Sequence, residues 1–325
     1  MKHYFAPMEG LTGYVYRNAH HAFFNNIDKY FSPFVAANKS GSFRKREQDD
    51  LAPENNQGLI LIPQILTNNA KDFILMADKI RLMGYDEINL NLGCPSGTVV
   101  SKNKGAGFLS VPSELDKFLY EIFSWGGTKI SIKTRIGIDK SDEFEDLLGI
   151  FNKYPIQELT IHPRVQKDFY KNKPNLEAFK YALSWSKAPL CYNGDINTID
   201  GYHKFIAQFP EVDSVMIGRG LLINPGLTKE IRSSVKLDKN LLREFHDKIY
   251  SDYKRVLSGD VNVLYKMKEL WTFMILLFSN HEKCLKKIKK SARLRDYEDA
   301  VSSLFREQEI LEDYKVILNN NFSKV

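Results

Sequence analysis

The sequence predicts an α/β fold: an eight-stranded (β/α)₈ barrel of the TIM type, followed by a C-terminal helical bundle. Three observations predict it. Eight short apolar runs alternate with amphipathic stretches over about 235 residues, close to the ~250 that such a barrel typically needs. Several runs are apolar on both faces, as strands of a covered parallel sheet are. From about Leu237 strand signals stop, glycine becomes scarce, and long amphipathic stretches follow.

The strands are expected at residues 4–8, 30–35, 59–65, 87–92, 129–134, 158–162, 190–193 and 214–218. Amphipathic helices between them are expected at 70–83, 114–123, 144–153 and 176–185. A doubly wound open sheet is the alternative. It would more naturally carry a Gly-rich nucleotide fingerprint after its first strand, and the sequence has none there. Beyond the barrel, helices are expected at 241–257, 263–278, 281–290 and 297–318. The division is therefore 1–236 for the barrel and 237–325 for the helical domain.

Composition narrows the class. With 325 residues, 43% hydrophobic and 26% charged, the chain is an ordinary soluble globular protein with one large core and room for a smaller domain. Its greasiest stretch, 271–278, is too short to cross a bilayer. No signal peptide precedes the first strand. The three cysteines (Cys94, Cys191 and Cys284) fit neither a disulfide framework nor a zinc spacing. These features predict a cytoplasmic protein with no metal and no membrane contact, and nothing indicates a protein partner.

Net charge is +6, and residues 236–325 contain 18 Lys and Arg against 14 Asp and Glu. Lys283, Lys286, Lys287, Lys289, Lys290, Arg293 and Arg295 form a run without an acid between them. One reading is a solvated helix face; the other is a phosphate-binding strip with salt-dependent affinity for nucleic acid.

Active sites of such barrels form at the C-terminal ends of the strands. The fourth end, Asn91-Leu92-Gly93-Cys94-Pro95, is the most informative: a glycine breaks the strand, a thiol follows, and a proline blocks continuation. Lys104-Gly105-Ala106-Gly107 follows soon after and reads as a flexible segment able to close over a ligand. The first strand ends in Ala6-Pro7-Met8-Glu9-Gly10 and the third in Pro63-Gln64. The fifth ends in Lys133-Thr134-Arg135 and the sixth in His162-Pro163-Arg164. Asn193-Gly194-Asp195 and Gly218-Arg219-Gly220 end the last two, where barrels often hold a phosphate. Arg219 adds a bidentate donor there. Lys133 has three open roles, as Schiff base, phosphate clamp or cation beside an anionic ring, besides a structural salt bridge. Gln64 and Asn91 offer paired donors and acceptors to a planar ligand with amide edges. His162 is either a donor to a ligand oxygen or a satisfied structural histidine. A lone cysteine is more often a small buried hydrophobe than a reactive group. As the single thiol at these strand ends, Cys94 is the candidate proton donor or nucleophile.

Together these residues resemble the tRNA-dihydrouridine synthases. The matches are Ala-Pro-Met-Glu-Gly at 6–10, Gln64, Asn-Leu-Gly-Cys-Pro at 91–95, Lys-Thr-Arg-Ile-Gly at 133–137, His162-Pro163-Arg164, Tyr-Asn-Gly-Asp at 192–195 and Ile-Gly-Arg-Gly at 217–220, in order over about residues 3–235. The Met-Glu-Gly form of the first motif is similar to that of the bacterial C-type subgroup.

The resemblance implies a noncovalent FMN in the barrel mouth, NADPH as electron donor, and a uridine of tRNA, swung out of its stack, as substrate. Hydride would go to C6 of uracil and a proton from Cys94 to C5, giving 5,6-dihydrouridine. A thiol with a pKa near ~8.5 suits that proton transfer. The resemblance also implies flavin contacts from Pro7, Met8, Glu9, Gln64 and Lys133. His162, Asn193, Gly194, Asp195, Gly218 and Arg219 would lie around the ribityl phosphate. Asn91 would hold the uracil edge, with Arg135, Arg164 and the basic positions Lys286, Lys287 and Lys290 on the RNA side. One departure is Pro163, where many relatives have a small residue. It bears on the following loop, 165–175, with Lys167, Tyr170, Lys171 and Lys173. Rival readings are the same chemistry on ribosomal RNA, an FMN barrel reducing a small molecule, or an RNA-binding protein with the flavin as a structural plug.

Overall fold

The structure is a computed structural model describing residues 1–311 and Tyr314. Eight parallel strands close into a barrel in chain order: β1 (Lys2–Phe5), β2 (Lys29–Ala36), β3 (Leu61–Leu66), β4 (Glu87–Leu92), β5 (Lys129–Arg135), β6 (Leu159–His162), β7 (Leu190–Tyr192) and β8 (Ser214–Ile217). β8 pairs back onto β1, so the sheet has no free edge. Every residue of β3, β4, β6 and β8 is buried, which is why these segments lack the alternation of a half-exposed strand.

The helices around and above the barrel are α1 (Tyr14–Phe24), α2 (Lys45–Leu51), α3 (Ala70–Leu82), α4 (Gly97–Val100), α5 (Pro112–Trp125), α6 (Glu143–Phe151), α7 (Leu176–Trp185), α8 (Ile199–Gln208), α9 (Arg219–Ile223) and α10 (Leu227–Ser233). Their starts are set locally. Asn69, Asn175 and Thr198 accept the backbone N–H of Asp72, Ala178 and Gly201 at 3.0–3.1 Å, capping α3, α7 and α8. Pro112 opens α5, where a missing N–H costs nothing.

The C-terminal region consists of α11 (Lys239–Val256), α12 (Asp260–Met274), α13 (His281–Lys290) and α14 (Leu294–Glu307). Its helices share one hydrophobic cluster with the barrel, and within it Trp271 Nε1 donates to the Tyr297 hydroxyl at 2.8 Å. It packs on the barrel through Phe245 of α11, whose ring lies 5.3–5.9 Å from those of Tyr16, Phe23 and Phe24 on α1. Lys266 of α12 also donates to the Gly10 carbonyl at 2.6 Å, at the end of the β1 loop.

Some expected boundaries move. β1 stops at Phe5, because Pro7 has no N–H to continue the ladder. The last helix stops at Glu307 rather than 318. Phe278 and Ile310 form an antiparallel bridge, and Leu311 donates to the Leu277 carbonyl. Residues 312, 313 and 315–318 of that expectation lie outside the described residues. Among the described residues no helix is long and apolar enough to cross a membrane, and no cluster of His, Cys, Asp and Glu could hold a metal ion.

Candidate active site at the barrel mouth

The C-terminal strand ends surround a cleft of about 700 Å³, lined by Pro7, Met8, Glu9, Gln64, Asn91, Cys94, Lys133, Arg135 and His162. It continues into a narrower recess of about 70 Å³ under Asn193, Gly194, Asp195, Gly218 and Arg219. Pro7, Met8, Lys133 and His162 line both parts. The cofactor-side residues read from the sequence thus meet in one depression, with Cys94 at its wider end.

A chain of amides places Cys94. Asn89 Nδ2 donates to Ser131 Oγ at 3.0 Å, Gln64 Nε2 to Asn89 Oδ1 at 2.7 Å, and Asn91 Nδ2 to Gln64 Oε1 at 2.7 Å. Asn91 Oδ1 then accepts the backbone N–H of Gly93 and Cys94 at 3.1 and 2.9 Å. The run crosses β3, β4 and β5 and fixes the turn that carries the thiol. Both ends of Asn91, expected at the uracil edge, thus have protein partners. From the other side, the Lys104–Ser110 turn packs against the cysteine. Ala106 N–H donates to the Cys94 carbonyl at 3.0 Å, and a Cβ on Gly105 (φ +55°) would meet that oxygen at 2.9 Å. This corrects the expectation of a flexible closing segment: Gly105, Ala106 and Gly107 are buried, and Gly105 is needed for close approach. Burial pushes the Cys94 thiol above its ordinary value, against the Ser96 N–H and the charges of Arg135 and Lys133. The group is a thiol at neutral pH, suited to giving a proton rather than attacking as a thiolate.

Three donors face the depression without protein partners among the described residues. Lys133 Nζ has neither a hydrogen bond nor an ion pair; burial, then Arg135, lowers its pKa to about 8. Arg219 donates from Nη2 to Asp195 Oδ1 at 2.6 Å, while its Nη1 is buried and unpaired. The third is on His162. Its Nε2 lies 2.9 Å from Arg164 Nη1, and a guanidinium can only donate, so Nε2 accepts and the ring proton sits on Nδ1. Burial, then the surrounding cations, holds this imidazole neutral. Leaving the buried Arg219 Nη1–H unsatisfied costs about 1–3 kcal/mol, which an anionic or carbonyl oxygen in the recess would offset. An elongated ligand with a phosphate at one end and a polar planar ring at the other fits this donor set.

Two residues expected on the RNA side, Arg135 and Arg164, are buried and make protein contacts. The guanidinium of Arg135 donates through its three nitrogens to the carbonyls of Gly93, Val165 and Phe169 at 2.8–3.1 Å. Arg164 is held by the Asn172 carbonyl, His162 and both oxygens of Asp195. They pin the loop after β6 rather than reach outward. That loop supplies Tyr170, which lines both parts of the depression and was not singled out as a contact. Its ring lies 4.7 Å from the Arg219 guanidinium, 5.6 Å from that of Arg135 and 6.0 Å from His162. Phe169 beside it has φ +47°, a left-handed backbone that a bulky residue rarely adopts. Asp195, expected near a phosphate, lines the recess and also pairs with Arg164 and Arg219.

Lys283, Lys286, Lys287, Lys289 and Lys290 stand on the exposed face of α13, and none makes an ion pair among the described residues. Arg293 is held by Asp296 at 2.9 Å and is less available than the run implied. Cys284 and Ile288 are buried on the opposite side of α13.

A family model described as dihydrouridine synthase (Dus) matches residues 4–321. The chain is 29% identical over 266 residues to a probable tRNA-dihydrouridine synthase of Staphylococcus epidermidis, covering 77% of this chain and 78% of the relative. It is 25% identical over 241 residues to tRNA-dihydrouridine synthase B of Pasteurella multocida, covering 74% and 71%. Among solved structures, morphinone reductase in complex with tetrahydroNAD superposes with a TM-score of 0.52 at 12% identity, over 73% of this chain and 88% of that one. At that identity the likeness reports the barrel fold.

Proposed function

Since the chain belongs to the dihydrouridine synthase family, we propose that it reduces the C5–C6 bond of a uridine in tRNA, with FMN in the barrel mouth and NADPH as the electron donor. The observation that carries this reading is the pairing of a protonated thiol, Cys94, with three unpartnered donors in one depression. Barrel 1–236 is the catalytic part and 237–325 the part that grips RNA, in the cytoplasm. The names of the curated relatives favour tRNA over ribosomal RNA.

FMN, when bound, supplies the hydride that goes to C6 of the uracil. This chain's residues do the rest. Arg219 and the Asn193-Gly194 and Gly218 backbone hold the phosphate end. His162, through its Nδ1–H, would hold the same end, Lys133 would face the polar edge of the ring, and Pro7 and Met8 would wall it. Asn91 and Gln64 position the Cys94 turn. Cys94 gives its proton to C5 and regains one from solvent. A stacked base cannot enter the mouth, so the uridine is extruded at a cost of a few kcal/mol. The exposed lysines of α13 supply sequence-independent grip on phosphates. Purified protein with NADPH and a tRNA transcript is expected to yield dihydrouridine, read as the two-hydrogen mass gain of one nucleotide; a transcript that returns unchanged would overturn the reading.

Lys133 gives this site a pH signature. Its pKa is about 8 in the protein described, and a bound anionic, carbonyl-rich ligand raises it. The ligand therefore prefers the protonated lysine. Affinity for FMN is full below pH 8 and falls as pH rises above it, by up to about tenfold per unit. In Lys133→Met the alkaline fall should vanish, with weaker binding throughout. Calorimetric titration at pH 7, 8 and 9 reads this directly, and a flat wild-type profile would remove Lys133 from the ring.

A further inference from the structure

Beside the mouth lies a second cavity, of about 250 Å³, between the start of α1, α2, and the end of α11 with α12. It is small against the ~300–1,000 Å³ of drug-sized sites and suits a single heterocycle. Tyr14 and Tyr253 wall it, with Val15, Val256 and Leu257 completing the apolar lining. Tyr253 is 6% exposed, and its hydroxyl has no hydrogen-bond partner among the described residues. Pro33 lines both this cavity and the main cleft. Two ion pairs lie between them: Arg46 with Glu9, and Lys266 with Glu269 at 3.5 Å. The carboxylates lining the cavity are also matched, Asp49 by Lys45 at 2.7 Å and Asp50 by Arg17 at 3.9 Å, so they do not repel a phosphate chain passing the rim. Nothing in the uridine chemistry uses this space.

We infer that this cavity receives a second nucleobase of the substrate RNA, one flanking the extruded uridine. The inference rests on the RNA reading above. An extruded base leaves its neighbour with an unstacked face. A tyrosine-walled slot next to the mouth restores that contact without reading sequence, since every base has a π-face. The unpartnered Tyr253 hydroxyl supplies one hydrogen bond to the base edge. Lys45, Arg46 and Lys266, each paired with a carboxylate, line the same opening and leave it without repulsion where the backbone joining the two nucleotides would run.

The test is a double-mutant cycle read in RNA binding. Val256 is 40% exposed, so Val256→Trp fills the slot without disturbing the core. Tyr14→Ala removes a wall and serves as a second variant, with bound flavin absorbance checking that each folds. Both are titrated with a tRNA transcript and with transcripts carrying one abasic residue on either side of the target. The expected result is about a tenfold loss of wild-type affinity for one abasic flank. Each variant should lose a similar factor on intact RNA and nothing more on that abasic RNA. Variants binding intact RNA within twofold of wild type, or penalties that add, would overturn the inference. Wild-type protein that binds RNA but forms no dihydrouridine would sink the functional reading alone, because the cycle does not depend on turnover.

Discussion

Cys94→Ala is expected to keep its flavin and lose dihydrouridine formation by ~10²–10⁴, the usual cost of removing a general acid. The two readouts separate because of how the residue is held. The turn depends on the Cys94 backbone, whose N–H donates to Asn91 Oδ1 and whose carbonyl accepts from Ala106. Truncation to alanine leaves those bonds in place. The unpartnered donors at Lys133, His162 and Arg219 belong to other strand ends and are untouched. On the proposed mechanism only proton delivery to C5 would be removed. The experiment follows single-turnover oxidation of NADPH-reduced protein by a tRNA transcript, alongside the flavin content. Cys94→Ser should fall between wild type and alanine, because an alcohol holds the proton more tightly. Turnover in Cys94→Ala within about threefold of wild type would remove the thiol from its role. The raised thiol pKa sets the alkaline limit of the proton transfer too: the acid is protonated below its pKa, so with flavin kept saturating that step persists through the ordinary thiol range and fails only above it.

The triple charge reversal Lys286→Glu, Lys287→Glu and Lys290→Glu should weaken tRNA binding by roughly 10²–10³ and lower the slope of log affinity against log salt by about 2–3. These side chains are exposed and lack ion pairs among the described residues, so folding should be unaffected. At saturating RNA the rate of the chemical step should be preserved, which places the loss in binding. The matching reversal at Arg293 should do less, because Asp296 already neutralises that guanidinium. Filter binding at several salt concentrations, with flavin absorbance as the control, decides it. An unchanged slope would move the RNA-binding surface elsewhere.

What was readable in the sequence follows from which interactions are local. Strands such as Leu61–Leu66 and Glu87–Leu92 are buried on both faces, so apolar and small polar residues run without interruption and the barrel announces itself. The strand ends carry glycine, cations and amides that a core does not need, and they do converge. Long-range contacts were not readable. Arg135 lines the cleft, but that its guanidinium is also held by the carbonyls of Gly93, after β4, and of Val165 and Phe169, in the loop after β6, could not be read from spacing. Gly105 and Gly107 carried the ambiguity of all glycines, between freedom of motion and close approach, and only the Cys94 and Val100 backbones resolve it. Tyr170 and the slot beside Tyr253 depend on loop and helix docking, which leaves no periodic trace. The last helix ends short of its amphipathic spacing, which continues past Glu307, because the chain there turns to pair beside Phe278.

The docking of α11 onto α1, reinforced by Lys266 on the Gly10 carbonyl, fixes the lysine face of α13 relative to the barrel opening. On the proposed function the enzyme would then act as a calliper, with one jaw on the RNA body and the other at the thiol. The uridine converted would then be set by how many nucleotides span that gap in the folded RNA, and a mutation far from both jaws that loosens Phe245 is expected to blur the position modified before it slows the reaction.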